Sequence, residues 1–153
     1  MENYEDALIA RDRICFLLYA SSKELVRCYK PYLDELGLTY TQCITMMMLW
    51  EHESLNVKEL GERLYLDSGT LTPLLKKLEA KGLLSRKRSK KDERCLDIQI
   101  TDKGEELKAK AANIPNLLSK SVGLSKEEEE QLYTLLNRIL SAVSRGREED
   151  TDE

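Results

Sequence analysis

Cys15 stands in Arg11-Asp-Arg-Ile-Cys-Phe-Leu-Leu-Tyr-Ala-Ser-Ser22, with Tyr19 four residues on and on the same helical face. A thiolate attacks the O–O bond of a peroxide, but a free thiol titrates near ~8.5, so little thiolate is present at neutral pH. Phenol donors stabilise a thiolate without a permanent charge, and their rings build an apolar pocket that suits an alkyl hydroperoxide better than hydrogen peroxide. Tyr29 lies near the same face, but fourteen residues on it is about 21 Å along one helix. Within one chain it reaches Cys15 only if the helix breaks. In a two-fold dimer with these helices crossing antiparallel, Tyr29 of one copy meets Cys15 of the other. Tyr40, opening the next helix, joins from the same side. The competing reading is ordinary: most buried thiols and most tyrosine clusters are core packing.

A second constellation is suited to phosphate and base edges. Residues 76–94 hold nine Lys/Arg and three Asp/Glu, a local charge of +6 in a chain of net charge −4, so the remainder carries −10. A basic stripe on an acidic protein is a directed patch, and local field matters more for binding than the total. Just before it, Asp67-Ser-Gly-Thr-Leu-Thr-Pro73 opens a helix on small hydroxyls. Ser68, Thr70 and Thr72, with Asp67 beside them, are placed for base edges or phosphates at the N-terminus of a recognition helix. Lys76 and Lys77, one turn on, neutralise backbone charge. Arg86, Arg88, Lys90, Lys91 and Arg94 belong to a hairpin whose arginines suit a narrow minor groove. Alone, the run reads as a solvated hairpin; after a helix-turn-helix pattern it reads as a partner for double-stranded DNA.

The elements that must position these residues follow from periodicity and capping. Residues 4–36 read as one helix, with Leu18, Leu25, Tyr29, Tyr32 and Leu36 at helical spacing, a defect at Pro31 and a stop at Gly37. Thr39 caps a second helix to about His52, apolar nearly all round and expected to be buried. Residues 56–64 form a short third helix. Asp67 or Ser68 caps a fourth over 69–81, closed by Gly82, with Pro73 in its first turns where a missing N–H costs little. Residues 83–88 and 95–100 suit two strands of a hairpin. Thr101 caps a fifth helix to about residue 119, bent at Pro115, and Ser125-Lys-Glu-Glu128 is a capping box opening a last helix to about Val143.

The expected architecture is mainly α with a small β-hairpin wing: a winged helix-turn-helix over 37–101, a helical dimerisation region over 1–36 and 102–145, and a disordered acidic tail over 146–153. Long apolar-striped terminal helices need a cover, which a second copy supplies. No apolar run is long enough to span a bilayer and no signal peptide opens the chain, so a cytoplasmic location with no membrane partner is expected. Cys15, Cys28, Cys43 and Cys95 form no CxxC pair; neither a metal nor a cofactor is expected, and the last three cysteines read as inert. Met46, Met47 and Met48 read as core and His52, the one histidine, as structural.

The segment Asp92-Glu-Arg-Cys-Leu-Asp-Ile-Gln-Ile-Thr101 resembles the wing signature of the MarR family of winged-helix transcription regulators. The resemblance implies that Asp92 pairs with Arg94 and orders the wing. Cys-Phe-x-Leu-Tyr-Ala-Ser-Ser, Leu-Trp-Glu-His-Glu-Ser-Leu and Leu-Tyr-Leu-Asp-Ser-Gly-Thr-Leu-Thr-Pro are similar to the organic hydroperoxide repressors, the OhrR branch of that family. This implies a homodimeric repressor, not an enzyme, with Cys15 as the peroxidatic cysteine oxidised by an organic hydroperoxide. It implies Tyr29 and Tyr40 as hydrogen-bond partners across the dimer, with Tyr19 nearby. Some relatives resolve the sulfenic acid with a cysteine near the C-terminal helices. This chain has none after Cys95, which favours the one-cysteine type and a mixed disulfide with a small thiol, or over-oxidation. An intersubunit pair using Cys28 or Cys43 stays open. The alternatives are release by an apolar or phenolic ligand in the same pocket, and a thiol peroxidase that resembles a regulator.

Overall fold

The computed structural model describes residues 13–52 and 54–149; the part of the first helix expected before residue 13 lies outside them. Helix α1 spans Ile14–Leu36 and contains Pro31 without ending there. It stops at Gly37, whose left-handed φ of 66° lets the Leu38 N–H fold back onto the Leu33 carbonyl at 3.0 Å. Helix α2, Tyr40–Glu51, opens on a reciprocal cap between Thr39 and Gln42. It buries Cys43, Met46 and Leu49 but leaves Met47 exposed, so its apolar surface is covered on one side of this chain and open on the other.

Strand β1, Ser54–Asn56, was not expected from the sequence. Helix α3, Val57–Leu64, follows, capped by Asn56 against Glu59. Tyr65 turns the chain at φ 55°, and the Leu66 N–H donates to the Gly61 carbonyl at 2.9 Å. A Cβ on Gly61 would stand 2.9 Å from the Leu66 oxygen, so the tight turn between α3 and the next helix requires glycine there. Helix α4, Ser68–Ala80, buries Leu71, Leu74, Leu75 and Leu78 at helical spacing. Pro73 is its sixth residue, not part of the first turn: the Leu71 N–H already donates to Asp67, and the proline ring removes the N–H that would meet the Gly69 carbonyl.

Strands β2, Leu84–Arg88, and β3, Leu96–Ile100, form the expected hairpin, with Arg86 opposite Ile98. β1 adds antiparallel to β3, so among the described residues the sheet has three strands in the order β1-β3-β2. The expected fifth helix is two: α5, Asp102–Ala111, and α6, Ile114–Val122. Pro115 is the second residue of α6 and has no N–H for the Ala111 carbonyl, so the helix breaks before the proline instead of bending at it. Helix α7, Lys126–Glu149, begins on the Ser125/Glu128 box and runs past Val143 into the segment expected to be disordered; residues 150–153 lie outside the described residues.

The chain divides into two compact units, residues 1–115 and 116–153. In the first, Met46, Leu49, Leu60, Leu71, Leu75, Leu78, Leu84 and Ile98 are all below 2% exposed or at it. The Trp50 indole N–H donates to the Gly104 carbonyl at 3.0 Å, and the Thr101 hydroxyl donates to the Gly82 carbonyl at 2.6 Å, seating the start of α5 against α2 and the turn after α4. Among the described residues no helix is long and apolar enough to cross a membrane.

Candidate DNA-reading surface and sensor residues

The start of α4 is organised by Asp67. Its carboxylate accepts the Thr70 N–H at 2.8 Å and the Thr70 hydroxyl at 3.1 Å. These bonds, the backbone one first, hold the Asp67 carboxyl below its ordinary range. Asp67 therefore positions the helix N-terminus, and the Thr70 proton is committed to it. Ser68 is exposed at the first helical position, and Thr72 is half-buried one turn on. Lys76 and Lys77 are exposed on the same helix.

The wing tip is tied by Asp92, but not as expected. Its carboxylate accepts the Arg94 backbone N–H at 3.0 Å, an Asx-turn, and its other oxygen faces Cys95 Sγ at 3.7 Å. The Ser89 N–H donates to the Cys95 carbonyl at 2.9 Å and closes the loop. The expected Asp92–Arg94 pairing thus runs through the Arg94 amide instead of its guanidinium, because a carboxylate two residues ahead sits over the backbone. Arg88, Lys90, Lys91 and Arg94 are exposed and form no ion pair among the described residues. So is Lys87, which sequence reasoning passed over although it lies in the same basic run.

Arg86 departs from the expectation. Its Nε and Nη2 donate to Glu79 Oε2 at 2.9 and 2.7 Å, and its backbone N–H donates to Glu79 Oε1 at 3.1 Å. Its side chain is 21% exposed. A guanidinium gripped in this way is a structural pin and not a free cation, so Arg86 leaves the set of free wing cations. Glu79, which the sequence reading did not single out, is held below the ordinary carboxylate range by those bonds.

Cys15 is exposed on α1 beside Ile14, Leu17 and Tyr19, which are 63%, 54% and 57% exposed. The Lys23 ammonium lies over the Tyr19 ring at 5.0 Å. Tyr29 and Tyr40 meet edge to face with ring centroids 5.1 Å apart. Burial raises both phenols above their ordinary value, and for Tyr29 the neighbouring Tyr40 and Cys43 add to it; Cys43 adds to it for Tyr40. Cys43 is 3% exposed, and burial pushes its thiol up as well. The structure thus joins Tyr29 and Tyr40 and adds Cys43 behind them, while Cys15 stands more than three helical turns away. Cys95 is held up chiefly by desolvation, then by Asp92. Cys28 is exposed.

The folded state holds the Tyr29 and Tyr40 protons more tightly than the unfolded chain does. Stability is therefore unaffected below the ordinary tyrosine value near ~10 and falls as pH rises through the raised values. In a spectrophotometric titration Tyr29 and Tyr40 supply a late-ionising fraction. Replacing both with Phe removes that late fraction; a single common midpoint in the parent protein contradicts the assignment.

Comparison with known proteins agrees with this architecture. The family described as "Transcriptional regulator SarA/Rot" matches residues 27–111. The organic hydroperoxide resistance transcriptional regulator of Bacillus subtilis is 50% identical over 146 residues, covering 91% of this chain and 97% of that protein. The HTH-type transcriptional regulator SarZ of Staphylococcus epidermidis is 46% identical, over 84% and 87% of the two chains. Reduced AbfR bound to DNA superposes with a TM-score of 0.73 at 28% identity, covering 92% of this chain and 99% of that one; the same regulator has been solved overoxidized on DNA. The chain belongs to the MarR and SarA/Rot type of winged-helix transcription regulators, in the organic hydroperoxide resistance branch.

Proposed function

We propose that this regulator is a redox-responsive repressor. Two copies associate through the regions 1–36 and 102–145, and residues 37–101 of each bind one half of a pseudo-palindromic site in double-stranded DNA. The observation that carries the sensor reading is the open apolar face around Cys15. Ile14, Leu17 and Tyr19 are more than half exposed in the single chain, and α7 carries Leu132, Leu135 and Val143, also exposed, at helical spacing. Surfaces of this kind call for a cover, and a second copy supplies it. In an antiparallel crossing of α1 helices, that copy brings its Tyr29–Tyr40 pair to Cys15 as neutral phenol donors.

The Cys15 thiolate attacks the distal oxygen of an organic hydroperoxide. The O–O bond breaks, Cys15 becomes a sulfenic acid, and the leaving alkoxide takes a proton to give the alcohol. A low-molecular-weight thiol then condenses with the sulfenic acid to a mixed disulfide, releasing water. Cys43, buried with its thiol pushed up, is unsuited to serve as the resolving group. The added group strains a packed interface, the helices shift, and the two recognition helices lose their spacing.

The test uses an operator selected from a random duplex pool by the reduced protein. Treatment with tert-butyl hydroperoxide weakens binding to that duplex by about tenfold or more, a coupling of ordinary allosteric size. Unchanged affinity after stoichiometric oxidation overturns the proposal.

A further inference from the structure

We infer that Glu79 and Arg86 form a strut that fixes the wing relative to the reading end of α4, and that Arg86 acts through Glu79 and not on DNA. The inference rests on the proposed DNA-binding surface and assigns a role within it. Glu79 lies near the end of α4, whose opposite end carries Asp67, Ser68 and Thr70. Arg86 lies in β2, two residues before Arg88 and the basic tip. Among the described residues β2 is an edge strand, with β3 on one side only. The Arg86 N–H donates to Glu79, so the carboxylate satisfies a group at the sheet margin as well as the guanidinium. Three bonds from one residue to one carboxylate fix orientation as well as distance. With its base clamped, the wing presents Arg88, Lys90, Lys91 and Arg94 at a set position relative to the helix N-terminus. Major- and minor-groove contacts then form together, without a separate ordering step for the wing.

The alternative has the opposite sign for one substitution. If Arg86 touches phosphate directly, Glu79→Gln frees its guanidinium and tightens binding. If the pair is a strut, Glu79→Gln and Arg86→Gln both loosen the wing. Each then weakens binding to the selected operator roughly three- to tenfold, within the range of a partly exposed ion pair, and the double variant is no worse than either single one. The slope of log affinity against log salt also becomes shallower by about 0.9 for each phosphate that the wing no longer neutralises. A general loss of stability lowers the melting temperature without changing that slope at temperatures where the protein is folded. Tighter or unchanged binding by Glu79→Gln, or additive losses in the double variant, overturns the strut. Failure of the unsubstituted protein to select any duplex overturns the DNA-binding surface itself.

Discussion

A Cys15→Ser protein binds the selected operator as the reduced parent does and stays bound after treatment with tert-butyl hydroperoxide. Serine is close to cysteine in size, and in the single chain the side chain lies on the open face of α1, so the fold of each chain has no reason to change. What it removes is the nucleophile: a hydroxyl has no accessible anion at neutral pH, whereas the thiol needs only modest help. The tenfold or greater release proposed for the parent disappears. The phenols give the graded version of the same experiment. A hydrogen bond to a charged group contributes about 1.5 kcal/mol or more, so losing one donor to the thiolate slows oxidation about tenfold. Tyr29→Phe and Tyr40→Phe proteins therefore still release DNA, but at higher peroxide concentration or after longer exposure. Because Tyr29 lies about 21 Å along α1 from Cys15, a heterodimer of one Cys15→Ser chain and one Tyr29→Phe chain is informative. Its one remaining Cys15, on the Tyr29→Phe chain, faces the intact Tyr29 of the Cys15→Ser chain across the interface and reacts at the parent rate. A slow reaction in that heterodimer removes the intersubunit site, and a Cys15→Ser protein that still releases DNA removes the sensor.

The parts of this fold that are legible in the sequence are those governed by neighbours along the chain. Thr39, Asp67, Thr101 and Ser125 cap helices because a short side-chain oxygen reaches an N–H two or three residues ahead, and that chemistry is local. Gly37 closes α1 for an equally local reason. β1 is not legible because Ser54–Asn56 is too short to show alternation and becomes a strand only through β3, more than forty residues away. The basic stripe is legible as a patch but not as a set of unequal members. Composition does not distinguish an exposed Arg88 from an Arg86 held by a glutamate on another element. The Glu79–Arg86 spacing of seven is a helical one, but the two residues belong to a helix and a strand, so no periodicity rule pairs them. The sequence names Tyr29 and Tyr40 only as partners for Cys15 of a second copy; their contact with each other, and Cys43 behind them, need the packing.

Gly104→Ala is expected to be among the most damaging single-methyl changes in the molecule. Alanine is the better helix former by about 1 kcal/mol, and Gly104 is the third residue of α5, so propensity alone predicts a gain. Space reverses the sign. A Cβ at Gly104 would lie 2.1 Å from the Leu83 oxygen, 3.1 Å from the Leu83 carbonyl carbon and 2.7 Å from Ile100 Cγ1. Two of those atoms are backbone and cannot rotate away, so α5 must shift. The shift strains the Thr101 cap, whose hydroxyl accepts the Gly104 N–H at 3.1 Å and donates to Gly82, and it pulls the Gly104 carbonyl from the Trp50 indole at 3.0 Å. A loss of about 3 kcal/mol follows, which at this chain length lowers the melting temperature by roughly 6–12 °C. Trp50 is the only tryptophan, so its fluorescence reports this junction without labelling. The functional consequence is separable from the stability loss. Leu83 follows directly on α4 and its terminal turn, and α5 opens the proposed dimerisation region. A displaced α5 therefore moves the recognition helix, and operator affinity falls even at temperatures where the variant is fully folded. A Gly104→Ala protein that melts with the parent, or keeps an unchanged Trp50 spectrum, contradicts the close packing of α5 on the turn after α4.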